Sequence, residues 1–311
     1  MCRPARRIFR RIYRTPISRI LTAGIFAAAV IPATACNKLF PDSDKSPTAP
    51  SGPPTSGSTI VYTAIGASDA NGIGSSFPCV PFTDCPNGKG YVPVAAGTLK
   101  SQGFTMTLRN LGIPTAVIGS DFQSLGRQYG RTVEGNFIEH EMPFVLPSST
   151  LVTIFAGGNE VNTITAALGG GAGDPDPIAY IDAQARAFGA DYATLLTGVR
   201  DLASSARIIA VNVPNMAGLP YLASAASAQR QAAQRAAVAM SRSVNALVAQ
   251  GVVVIDAMCD SRTYQPSNYS SDGLHPNDAG YAFLADEIVR AVTSTSYPQP
   301  QASCASMTLV P

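Results

Sequence analysis

From Thr59 to about Thr293, short apolar runs alternate with longer stretches in which apolar positions recur at helical spacing. Five runs, "TIVYTAIGA", "FTMTLRNLG", "TLVTIFAGG", "ARIIAVNVP" and "GVVVIDAM", are rich in β-branched residues and bounded by turn formers, so each predicts a strand. Ile178 to Ala203 and Ser224 to Ala249 predict long amphipathic helices. Pro276 to Val292 predicts a closing helix, with Asn277 or Asp278 available to cap its start. There is no internal repeat. Such alternation predicts one α/β domain, a three-layer sandwich around a central, mainly parallel five-stranded sheet.

Three of these strands run straight into polar turns containing glycine: "GASDANGIG", "NLGIPTAVIG" and "GGNEVN". In a parallel sheet the carboxyl ends of the strands share one edge, and ligands bind there. "SSDGLHPNDAG", residues 270 to 280, follows the fifth strand after about a dozen residues and can return to that edge.

The two ends of the chain change how its composition is read. Seven arginines precede the apolar run "ILTAGIFAAAVIPATA", the pattern of an export signal over residues 1–35, too short and too broken by Pro32 for a permanent membrane span. "RRIF" also allows a twin-arginine signal. "ATAC" is similar to a bacterial lipoprotein box, which would make Cys36 a lipidated N-terminus, although ordinary signal peptidase cleavage fits "ATA" as well. Residues 36–58 are rich in Pro, Ser, Gly and Thr and predict a tether. The folded domain is then expected over 59–311, ending in a C-terminal tail.

The leader holds seven of the 22 Lys and Arg, and all 20 acidic residues lie beyond it, so the remaining chain carries a net charge of −5. Its electrostatics do not point to nucleic acid. Four cysteines remain after Cys36, an even number that in an exported protein reads as two disulfides with three possible pairings. Cys79 with Cys85 and Cys259 with Cys304 are the preferred pairs, the first closing a Pro-rich loop and the second pinning the tail. No cysteine has a histidine close in sequence, so neither a metal nor another cofactor is expected.

Ser68 lies in a sharp strand-to-helix turn between Gly66 and Gly72, where a nucleophile would be exposed and where a helix-capping serine is equally at home. The spacing does not fit the G-x-S-x-G elbow, because position 70 is alanine. His275 is one of two histidines in the chain and has Asp272 three residues before it, suited to accept from the second ring nitrogen. A surface histidine beside a helix start is the alternative. His140, in "FIEHEMP", lies on an acidic, helical stretch and reads as solvated. Gly112 and Asn159 sit in turns after different strands, where a backbone N–H and a side-chain amide are suitable oxyanion donors and also ordinary turn chemistry.

In this order the four stretches "IGASDANG", "NLG", "GGNE" and "DGLHPNDAGY" resemble the blocks of the SGNH family of GDSL-type hydrolases, over roughly Thr59 to Val292. The resemblance implies a flavodoxin-like fold and an exported serine ester hydrolase without cofactor. Ser68 would be the nucleophile, His275 the base and then acid, and Asp272 its orienting partner. The N–H groups of Ser68 and Gly112 and the Asn159 amide would form the oxyanion hole. Two positions depart from the family pattern: Ala67 stands where an aspartate usually precedes the serine, with Asp69 following it, and Glu160 replaces the commoner aspartate after Asn159.

The expected substrate is a small-molecule or glycan ester, acyl or acetyl, met by a monomer in the bacterial envelope, touching the membrane only through a lipid anchor, or secreted. A tethered envelope lipoprotein that binds glycan or peptidoglycan without turnover is the competing reading. "SSFPCVPFTDCPNGKGY" is expected to wall the pocket, with Phe77, Phe82 and Tyr91 packed within it or against substrate.

Overall fold

A computed structural model describes residues 52–83 and 85–310. The export leader, the Cys36 lipidation site and most of the tether lie outside the described residues. Strands β1 (Thr59–Gly66), β2 (Thr105–Asn110), β3 (Leu151–Phe155), β4 (Arg207–Val211) and β5 (Val253–Ile255) form one sheet in the order β2-β1-β3-β4-β5. Every neighbouring pair is parallel, so the sheet is wholly rather than mainly so. Each strand falls within a predicted run and is shorter than it, because residues such as "LG" after β2 and "AGG" after β3 leave the ladder to build turns.

Eight α-helices accompany the strands among the described residues: α1 (Ser68–Asn71), α2 (Tyr91–Ser101), α3 (Ser120–Gln128), α4 (Phe137–His140), α5 (Gly158–Gly169), α6 (Pro177–Leu202), α7 (Ser227–Asn245) and α8 (Asp278–Thr293). Strand alternation divides the core into two layers. Ile60, Tyr62, Ile209 and Val211 face α2 and α8, packing with Tyr91, Leu99, Tyr281 and Ile288. Ile65, Val152, Ile154 and Ile208 face the other way, with Phe122, Ile164, Phe188 and Met240 from α3, α5, α6 and α7. This is the three-layer sandwich that the alternation predicts.

Helix α7 buries Ala233, Ala236, Ala237, Met240, Ser241 and Val244, which share one face of the helix. That small-residue stripe leaves room for close packing against its neighbours, and a leucine at Ala237 would overpack it by about 1–3 kcal/mol. At the start of α8 the Asn277 side chain accepts from the Ala279 and Gly280 N–H groups, making Asn277 the cap. Asp278 has a different task, described below.

Two disulfides are present, Cys79–Cys85 with Cα atoms 5.9 Å apart and Cys259–Cys304 with Cα atoms 5.7 Å apart. The second ties the tail back to the loop after β5. The tail is held further by the Asn215 side chain, which donates to the Ser306 carbonyl at 2.7 Å, and by Gln234, which donates to that of Val310 at 2.7 Å.

Candidate active site

Strand β1 lies between β2 and β3, so the chain leaves its carboxyl end at the point where the sheet's winding reverses, the place where open α/β sheets bind ligands. Ser68 opens α1 there. It is the first residue of the helix, so its N–H has no intrahelical acceptor. Its hydroxyl makes no capping bond; it lies 2.9 Å from His275 Nε2. The capping alternative is therefore set aside.

The histidine loop is shaped by its own backbone. The Ser270 N–H donates to the His275 carbonyl at 2.9 Å, and Gly273, in the left-handed region at φ 68°, turns the chain between them. Asp272 Oδ1 accepts from the N–H groups of Leu274 and His275 at 2.8 and 2.9 Å and from the Ser270 hydroxyl at 2.9 Å. Its other oxygen lies 2.6 Å from His275 Nδ1. Partial burial alone would raise the Asp272 pKa, but these hydrogen bonds, led by that with His275, bring it down to about 2. An ionised acceptor on Nδ1 fixes the tautomer that leaves Nε2 free to accept the Ser68 proton.

The serine and histidine loops are locked together across more than two hundred residues of sequence. A Cβ at Gly74, whose φ is 94°, would lie 2.7 Å from His275 Cβ and from the Pro276 carbonyl oxygen, so only glycine admits this approach. Asp278 adds a clamp, accepting from the Ser76 N–H at 2.7 Å and from its hydroxyl at 2.6 Å.

Asn159 lines the same cleft from the start of α5. Its amide nitrogen donates one hydrogen to the Ala116 carbonyl at 2.9 Å, which leaves the second hydrogen available. Its oxygen accepts from Arg131 Nη2 at 3.3 Å, which settles which way round the amide sits. Gly112 departs from the role expected for it. Its N–H donates to Asn110 Oδ1 at 3.1 Å, and the residue is buried rather than part of the cleft wall. A Cβ there would meet Ala70 Cβ at 2.7 Å, so the glycine is needed for close packing under the serine turn.

Two buried glutamates hold this edge together. Glu141 accepts from the Gly66 N–H at 2.9 Å, pinning the residue two before the nucleophile, and burial pushes its pKa well above the carboxylate range. Glu160 accepts from the N–H groups of Gly157 at 2.8 Å and Ile118 at 2.5 Å, joining the turn that carries Asn159 to the segment after β2. Burial raises its pKa to about 7 against these bonds and the nearby Arg131.

Arg131 and Glu141 are absent from the sequence-based set. In "FIEHEMP" Glu139 and Glu141 flank His140 alike, and composition does not separate the exposed acid from the buried one. His140 itself is exposed, its Nδ1 accepting from the Asn136 N–H at 3.2 Å, in keeping with the solvated reading.

The cleft wall comes from the β3–α5 turn, the loops after β4 and β5, and α8. None of the described residues of "SSFPCVPFTDCPNGKGY" lines it, contrary to expectation. Tyr91 is fully buried and packs edge-on to Phe155 with ring centroids 6.4 Å apart. Phe77 and Phe82 are 51% and 45% exposed, and Phe82 meets the ring of Phe144.

Residues 64–283 match the family described as GDSL-like lipase/acylhydrolase. No curated protein sequence matches the chain. Among solved structures it is similar to a lipase from goat rumen metagenome, at TM-score 0.53 and 17% identity, over 76% of this chain and 98% of that one. An extracellular lipase from Streptomyces rimosus aligns at TM-score 0.51 and 16% identity, over 76% and 100% of the two chains. An acetyl xylan esterase from Geobacillus stearothermophilus aligns at TM-score 0.50 and 15% identity, over 76% and 96%. These likenesses establish a shared flavodoxin-like fold.

Proposed function

Because the chain belongs to the GDSL-like lipase/acylhydrolase family, we propose that it is an exported serine ester hydrolase that works through an acyl-enzyme on Ser68. The observation that carries this reading is the chain of contacts from Ser68 Oγ to His275 Nε2 at 2.9 Å and from His275 Nδ1 to Asp272 Oδ2 at 2.6 Å.

In the first half-reaction Ser68 Oγ attacks the ester carbonyl while His275 Nε2 takes its proton, and Asp272 stabilises the imidazolium that forms. The oxyanion is met by the Ser68 N–H and the free amide hydrogen of Asn159. As the tetrahedral adduct collapses, Nε2 gives the proton to the departing alkoxide. A water then attacks the acyl-enzyme by the same route, His275 taking its proton and returning it to Ser68. The ester is that of an acyl or acetyl group, and lipid and carbohydrate alcohols both suit this chemistry.

Export is supported by the arginine-rich leader and by two disulfides, which form and persist in oxidising compartments. A lipid on Cys36 would hold the domain to the envelope.

A fluorophosphonate probe and a short-chain nitrophenyl ester test the proposal together. The wild-type protein is expected to be labelled and to turn over the ester, and Ser68→Ala to do neither while keeping its circular dichroism spectrum. An unlabelled, inactive wild type would instead favour a glycan-binding module, and full activity in Ser68→Ala would sink the mechanism.

A further inference from the structure

Asp69 follows the nucleophile directly and has no part in the steps above. It lines the cleft and is half-buried there. Among the described residues no other residue donates a hydrogen bond to its carboxyl, and no cation is paired with it. Desolvation by burial raises its pKa, with the charge of His275 opposing. A half-buried carboxylate in a cleft, beside the nucleophile and without a partner from the protein, keeps its acceptor oxygens for a ligand.

The cleft continues past His275 into a chamber between the strand ends and α8, walled by Phe155, Val211, Phe283 and Leu284 among mostly apolar atoms. Arg262, Thr263 and Asn268 also border it. The Arg262 guanidinium is already engaged by Asp260 at 2.6 Å and Glu287 at 2.8 Å, and it does not neutralise Asp69. A guanidinium in the wall disfavours an ammonium guest. The neutral Thr263 and Asn268 suit a group that both donates and accepts.

We infer that Asp69 forms a subsite that binds a hydroxyl group of the ester substrate, selecting hydroxylated esters over their deoxy counterparts. This rests on the serine hydrolase reading and names its substrate class. The hydroxyl belongs either to the acyl chain or to the alcohol, and both sources present the same donor. One hydrogen bond from a hydroxyl to a carboxylate in a cleft corresponds to about 10- to 100-fold in kcat/KM.

Two ester pairs separate the sources: 4-nitrophenyl 3-hydroxybutyrate against 4-nitrophenyl butyrate for the acyl side, and glycerol monobutyrate against propyl butyrate for the alcohol side. The wild-type protein is expected to favour the hydroxylated member of one pair by at least about tenfold. Asp69→Asn and Asp69→Ala, each checked for folding by circular dichroism, should bring that ratio towards one. Equal rates within both pairs for the wild type would overturn the subsite. So would a ratio unchanged in the variants, or an equal loss on both members of a pair, which would mean that Asp69 acts through His275 instead. Turnover of none of the four esters by the wild type would overturn the hydrolase reading itself, and the subsite with it.

Discussion

Replacing Glu160 with glutamine should remove a pH dependence from the protein's stability. In the folded chain burial holds this carboxyl near 7, against 4.5 for an ordinary glutamate. Below about pH 4.5 it is protonated in both the folded and the unfolded chain, and the folded state is not penalised. As pH rises further the unfolded chain releases the proton while the folded protein retains it, so stability falls and levels off above about pH 7. A shift of about 2.5 pH units at about 1.4 kcal/mol each amounts to about 3 kcal/mol.

Urea unfolding of the wild type and Glu160→Gln at intervals from pH 4.5 to 8 measures the difference. Glutamine does not titrate, and it keeps one acceptor for the Gly157 and Ile118 N–H groups where the acid offers two oxygens. Its uniform cost is about 1–3 kcal/mol. The expected result is that the wild type's advantage of about 1–3 kcal/mol at low pH shifts by about 3 kcal/mol towards the variant as pH rises, so that it closes or reverses. A gap constant across the range would refute a raised Glu160 pKa and with it the claim that desolvation outweighs its two hydrogen bonds.

Asn159→Ala should lower kcat by about 10²- to 10³-fold with a smaller change in KM, in steady-state kinetics on a nitrophenyl ester. A residue that served only its turn would lose stability and keep its kcat. Asp272→Asn should reduce kcat by as much as about 10⁴-fold through loss of the productive His275 tautomer. In the wild type, NMR titration of the Asp272 carboxyl carbon should give a midpoint near 2. Replacing Cys259 and Cys304 together by serine opens a loop with a sequence separation of 45 and should cost about 4 kcal/mol in urea unfolding. A loss below about 1 kcal/mol would show that the tail is held by its hydrogen bonds instead.

The two strand faces and the strand-to-turn boundaries are local properties, and periodicity and turn chemistry reveal them without a structure. Short β-branched runs alternating with helical ones leave a parallel sandwich as the simple way to bury both. Ser68, His275 and Asn159 line one cleft, with Asp272 on His275, and each of the four sits in a turn whose residues announce it. Gly112 sits in such a turn too, and its assignment as an oxyanion donor did not survive, because the direction of its N–H depends on Asn110 folding back onto it. Glu141 and Arg131 act on partners far from them in the chain, at Gly66 and Asn159, and no spacing rule reports such contacts. The same holds for the chamber that gives Asp69 its surroundings. Pattern along the chain determines which residues can reach the sheet edge. Only the packed structure decides which of their hydrogen bonds are already spent on the protein and which are left for a substrate.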